Sequence, residues 1–240
     1  MKKLLLLSII IAGALGCAEN GNETPTKDDS NKADSIVDEA SLQERDLINE
    51  QMNLIKQYAA EFSIPEDLNR IPIVVVKNAE VIKRASSGCL YAGSKGLKIV
   101  LSKSFFTQRV YEKDTGFASP LFNLLIHEIG HCYKNRQHEF GVLRKKGYKA
   151  QFKIQAGNQT RQVSYYSVQA TMMHNTYFQM PKSLEKYYVG EIFGKWRAQT
   201  LEELQGHYDF EIVPEEIAAS DENGDVEETP FPHDHDHILN

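Results

Sequence analysis

The stretch Ser119-Pro120-Leu121-Phe122-Asn123-Leu124-Leu125-Ile126-His127-Glu128-Ile129-Gly130-His131-Cys132 decides how this chain folds. Ser followed by Pro is the favoured N-cap and N1 order, so a helix begins at Pro120. Leu124, Leu125, Ile126 and Ile129 make it a buried helix. Residues four apart lie one turn apart on the same face. His127 and His131 therefore aim two imidazoles at one point. Burying two histidines and a glutamate with no partner is costly. A metal ion shared by His127 and His131 removes that cost; the alternative is a surface helix with two unconnected histidines. Glu128 stands beside the pair, placed as a base for a water on such an ion rather than as a ligand.

A catalytic zinc takes three protein ligands and leaves a fourth position open. His138, seven residues after His131, is the nearest further candidate. It reaches the ion only if the helix ends and the chain reverses, and Asn135 tolerates the left-handed conformation such an ending uses. Otherwise His138 is a surface residue of a charged loop.

Outward from this helix the pattern is mixed α and β. Leu42, Leu47, Ile48, Met52, Ile55 and Tyr58 recur at helical spacing. A helix is expected from Ser41, its N-cap with Glu44 three residues on, to about Phe62. Ile71-Pro72-Ile73-Val74-Val75-Val76 is a β-branched run and reads as a strand. Gly88 to Ala92 and Leu97 to Leu101 read as two more, joined by the turn Gly93-Ser94-Lys95-Gly96. Between residues 141 and 168, Tyr148, Phe152 and Ile154 alternate with polar residues ahead of Gly157-Asn158, and a hairpin is expected. Ser183 to about Gln205 reads as one helix with Leu184, Tyr187, Tyr188, Ile192, Phe193 and Trp196 on its apolar side. No internal repeat is present.

The ends differ in composition. Lys2 and Lys3, then an apolar run from Leu4 to Leu15 too short to span a bilayer, describe a secretory signal over residues 1–16. Ala14-Leu15-Gly16-Cys17 resembles a bacterial lipobox, which implies a lipidated Cys17 anchoring the chain to a membrane. Residues 17–40 are polar and read as that lipid-bearing cysteine and a disordered tether. Residues 41–208 form the expected domain, and residues 209–240 an acidic disordered tail. Removal of residues 1–16 leaves 25 Lys and Arg against 33 Asp and Glu. That balance argues against a nucleic-acid partner. Cys89 and Cys132 remain besides Cys17, an even pair that in an exported protein suggests a disulfide, with two unpaired thiols as the alternative. His233, His235 and His237, interleaved with aspartates, either capture metal or form a solvated tail.

His127-Glu128-Ile129-Gly130-His131-Cys132 through Arg136-Gln137-His138-Glu139 resembles the metzincin zinc peptidases, most of all small exported bacterial metallopeptidases. The metzincin pattern HExxHxxGxxH has a Gly where Lys134 stands and one residue fewer before the last His; the bacterial group is similar in having the longer spacing. Thr171-Met172-Met173-His174 resembles the Met-turn, with Met173 the matching methionine. The resemblance covers roughly residues 70–200. It implies an α+β, metzincin-like zincin fold: a small twisted mixed sheet over the zinc helix, with a C-terminal helix behind the Met-turn. It implies one catalytic zinc on His127, His131 and His138, Glu128 as general base, and Tyr177 in a transition-state contact or in packing. Cys132 lies about 100° around the helix from His131 and cannot share its face, which favours a Cys89–Cys132 bridge over Cys89 as a latency-holding zinc ligand. A gluzincin-type site would instead draw a Glu from Glu185 or Glu191.

These readings lead to one expectation. The chain is a zinc endopeptidase of the bacterial cell envelope, lipid-anchored, facing the periplasm or exterior, and acting on a peptide or protein. Two other functions stay open: a zinc-stabilised binding protein without activity, and a zinc amidohydrolase acting on a non-peptide amide.

Overall fold

A computed structural model of the chain describes residues 36–215 apart from 84, 92–95, 114 and 175–178. The expected turn at 93–96 falls largely outside the described residues, as do Cys17, Tyr177 and the histidines of the tail. Among the described residues the fold is α+β, with a few helices and three small sheets.

Helix α1, Leu42–Glu61, begins at the expected capping box: the Glu44 N–H donates to Ser41 Oγ, and the Ser41 N–H to Glu44 Oε2. Strands β1 (Ile73–Val76), β2 (Ser87–Tyr91) and β3 (Leu97–Ser102) form a mixed sheet of order β1-β3-β2. β1 runs parallel to β3, and β2 antiparallel with Cys89 opposite Ile99. One short turn of helix, α2 (Gln108–Tyr111), precedes α3, Pro120–Lys134, the helix of the His-Glu motif. Leu121, Leu125, Ile126 and Ile129 of α3 have no exposed surface. α3 packs on β2, β3 and α1.

Beyond α3, β4 (Val142–Leu143) pairs with β7 (Val168–Gln169). Between them β5 (Tyr148–Ala156) and β6 (Gln159–Tyr165) make the expected hairpin around Gly157-Asn158, with Phe152 opposite Val163.

Three expectations change. The helix proposed over 183–205 is two helices, α4 (Glu185–Ile192) and α5 (Leu201–Gln205). Gly194, at φ 69°, adopts the left-handed conformation that ends α4. Thr200 then caps α5, accepting the Glu203 N–H at 3.1 Å. Trp196 lies in the connection, edge-on to Tyr187 and stacked near Tyr208. Residues 211–214, expected in the tail, are instead a strand: Glu211–Pro214 is β8, antiparallel to β5, and the sheet order is β6-β5-β8. Asp38 and Glu39, expected in the tether, are instead bonded to the sheet. Asp38 Oδ1 accepts the Val75 N–H at 2.9 Å, and the Glu39 N–H donates to the Val75 carbonyl at 2.8 Å, fastening this segment along β1. Among the described residues, no helix is long and apolar enough to cross a membrane.

Candidate metal centre

The end of α3 makes the chain reverse. Asn135 sits at φ 50°, ψ 35°, and the Arg136 N–H returns to the Gly130 carbonyl at 3.1 Å. This turn sends His138 back beside the helix. Its ring centroid lies 5.3 Å from that of His127 and 4.9 Å from that of His131. The nearest ligand nitrogens of the three histidines all fall within 4.8 Å of one another. No other group of three His, Cys, Asp or Glu among the described residues could hold a metal ion.

Backbone carbonyls fix how two of the rings face. His127 Nδ1 is 2.6 Å from the Met172 carbonyl, and His131 Nδ1 is 2.7 Å from the Arg136 carbonyl. A carbonyl only accepts, so each Nδ1 carries the proton and each Nε2 presents a lone pair. The two Nε2 atoms stand 3.0 Å apart. Two lone pairs at that distance repel unless a proton or a cation lies between them. Burial pulls the His127 pKa down to about 3, and the neighbouring His131 adds to the effect. Burial also lowers that of His131. Neutral imidazoles with their outer nitrogens fixed by carbonyls are the donor set that zinc and other borderline divalent metals prefer. The residues therefore fit a metal ion.

Glu128 is fully buried, and Ser87 of β2 donates to its Oε1 at 2.6 Å. Cys89 and Cys132 are joined, with Cα atoms 5.5 Å apart. These two contacts form a ladder. Ser87 and Cys89 are two apart on a strand and share its face. Glu128 and Cys132 are four apart on a helix and share one too. The disulfide and the Ser87–Glu128 hydrogen bond thus join the same face of β2 to the same face of α3.

Below the helix lies the turn 171–174. Met173 is fully buried, its N–H donating to Thr171 Oγ1 at 3.0 Å. A Cβ on Gly130 would collide with Met173 Sδ. Glycine between the two histidines is what lets the methionine press against α3. The Glu139 N–H also donates to the Met173 carbonyl at 2.9 Å, so the turn supports the segment holding His138.

Arg136 ties these parts together, and the sequence reading gave it no role. Its guanidinium donates to Glu139 Oε1 at 2.9 Å, Glu191 Oε1 at 2.7 Å and Thr171 Oγ1 at 3.1 Å. Arg197 holds the other oxygen of Glu139 at 2.6 Å. Both carboxylates of a gluzincin-type site are thereby committed elsewhere: Glu191 to Arg136 and Thr171, and Glu185 to the Tyr58 hydroxyl at 3.1 Å. Ser87 was also missed. The signal for it was the Cys89–Cys132 pairing, since two residues back on the strand and four back on the helix give Ser87 and Glu128.

Compared with models of protein families, with curated proteins and with solved structures, the chain has no match.

Proposed function

We propose that the chain is a zinc-dependent peptidase of metzincin-like fold, with zinc on His127, His131 and His138. The observation that carries this reading is the convergence of the His127 and His131 Nε2 atoms at 3.0 Å, with His138 completing the set. Three neutral imidazoles leave a tetrahedral ion one open position, the arrangement of a catalytic rather than a purely structural zinc. Met173 packed against Gly130 supports the Met-turn likeness.

When bound, zinc supplies a Lewis acid that acidifies water and polarises a substrate carbonyl. Glu128 accepts the proton of the attacking water and returns it to the amine as the C–N bond breaks. Ser87, bonded to Glu128 Oε1, holds the carboxylate in one orientation during both transfers. His131 and His138 are half-buried, so the open side of the triad is theirs. The N-terminal pattern through Cys17 supports an exported, lipid-anchored enzyme acting on peptides in the bacterial envelope.

One observation favours a second reading, a zinc-stabilised binding protein without activity: Glu128 has no exposed surface. A base that handles water needs access to it. Glu128→Gln separates the two. Zinc content is measured in wild type, Glu128→Gln and His138→Ala, together with cleavage of a peptide library read by mass spectrometry. The peptidase reading expects one zinc per wild-type chain, loss of it in His138→Ala, and cleavage abolished in a zinc-loaded Glu128→Gln. Wild-type protein that holds zinc and leaves every peptide intact would favour the binding protein or a non-peptide amide substrate.

A further inference from the structure

Charge is divided unevenly along this chain. Residues 140–184 carry seven Lys and Arg and no Asp or Glu. Residues 36–215 together hold 23 Lys and Arg against 20 Asp and Glu, so the folded domain is basic. The 25 residues after Glu215 hold eight acids and no Lys or Arg. The overall acidity of the protein therefore resides in its ends.

The described domain ends beside the basic run. β8 runs antiparallel to β5 with Pro214 opposite Tyr148, and the Glu215 N–H donates to the Gly147 carbonyl at 2.9 Å. The chain thus leaves the domain beside the loop Arg144-Lys145-Lys146-Gly147. Lys145 is paired with Glu202 at 2.9 Å, and Lys153 with Glu211 at 3.2 Å. Arg144 and Lys146 are exposed and Lys149 is half-buried. Among the described residues none of these three makes an ion pair. Lys149 and Lys153 point outward from β5, because Ala150, Phe152 and Ile154 point into the core.

We propose that this basic strip is the docking surface of the chain's own C-terminal segment, with Asp221 to Glu228 lying against Arg144, Lys146 and Lys149. The lengths agree. Six residues from Glu215 to Asp221 reach up to about 21 Å, and the eight residues from Asp221 to Glu228 extend over about 27 Å. Arg144, Lys146 and Lys149 lie within three residues of Gly147, the partner of Glu215, and so within that reach. Tethering at Glu215 gives the segment an effective concentration in the millimolar range, enough to populate a weak electrostatic contact. Salt weakens such a contact, because these charges are exposed and screened within about 10 Å at 0.1 M. The inference does not depend on the zinc reading.

Zero-length carbodiimide cross-linking of the full chain tests it, since the reagent joins carboxylates to lysines only in contact. At low salt the expected links run from Asp221, Glu222, Asp225, Glu227 or Glu228 to Lys146 and Lys149, and they vanish at 0.5 M NaCl. Arg144→Gln removes a charge but neither reporter lysine, and should lower the yield. Links spread evenly to exposed lysines elsewhere, such as Lys77 and Lys83, would overturn the proposal, as would an unchanged yield in Arg144→Gln. The same reaction with phosphatidylglycerol vesicles tests the rival occupant. Persistence of the links supports the tail, and their complete displacement would assign the strip to a lipid surface instead.

Discussion

Breaking the Cys89–Cys132 bridge tests how α3 is held to the sheet. The bridge closes a loop of 43 residues in sequence. The chain-entropy relation for a loop of that length gives about 4 kcal/mol lost on opening it at 25 °C. The folded state should otherwise change little on mild reduction, since no atoms are removed. Ser87–Glu128 and the sheet packing remain to hold β2 on α3. With a urea dependence of about 2 kcal/mol per molar, the unfolding midpoint should fall by about 2 M. Trp196 is the only tryptophan and lies against Tyr187, Tyr208 and His207, so its fluorescence reports unfolding of the C-terminal part of the core. Oxidised and reduced protein are compared at one saturating zinc concentration, which keeps metal binding from contributing to the difference. A midpoint shift below about 0.5 M, or about 1 kcal/mol, would refute the reasoning. It would mean either that the two cysteines are not bridged or that the unfolded chain already holds β2 near α3.

Three further outcomes follow from the same geometry. Arg136→Ala leaves Glu191 3% exposed and without its main cation, and should cost about 3–5 kcal/mol by denaturation; Arg136→Lys should recover only part of this, because an ammonium cannot reach Glu139, Glu191 and Thr171 together. Burial raises the Glu185 pKa from 4.5 to about 7. The folded state keeps that proton where the unfolded state releases it, so the associated stability is full below pH 4.5, declines from 4.5 to 7 and is lost above. The gap amounts to about 3 kcal/mol. Glu185→Gln, which can still accept the Tyr58 hydroxyl, should therefore be more stable relative to wild type at pH 8 than at pH 4.5, and equal ratios at both would count against it. Zinc at a hundred times its dissociation constant should add about 2.7 kcal/mol and raise Tm by about 8 °C for a domain of this size; His138→Ala should show no such rise in differential scanning fluorimetry.

What could be read from the sequence was local. The α3 helix, its Ser-Pro start and its Asn135 ending are written in adjacent residues, and the structure has them where those residues stand. The capping box at Ser41 and the Gly157-Asn158 hairpin are of the same kind. The errors came where one local pattern competed with another. Helical spacing from Leu184 to Trp196 suggested a single helix, although Gly194 and Thr200 carry the ordinary signals for an end and a new start. Acidic composition after residue 208 suggested a tail, but Ile212 and Val213 add a strand to β5, and that gain depends on a partner strand some 60 residues earlier. Strand pairing at that distance leaves little mark in a short window of sequence.

The site divides along the same line. His127, Glu128 and His131 belong to one helical turn and are legible together. His138 was reachable only by assuming a reversal at Asn135, which the left-handed φ of 50° supplies. Arg136, Thr171, Glu191 and Ser87 were not legible, because each acts through residues remote in sequence. Arg136 shows why they matter. Its carbonyl fixes the tautomer of His131, while its guanidinium gathers the His138 segment, the Met173 turn and α4. One residue thus couples the orientation of the His131 ring to the packing beneath it. The HExxH motif supplies two of the three candidate donors and the segment after Asn135 the third, and this surrounding network holds them together on its own, so little ordering of the three rings would oppose a metal ion.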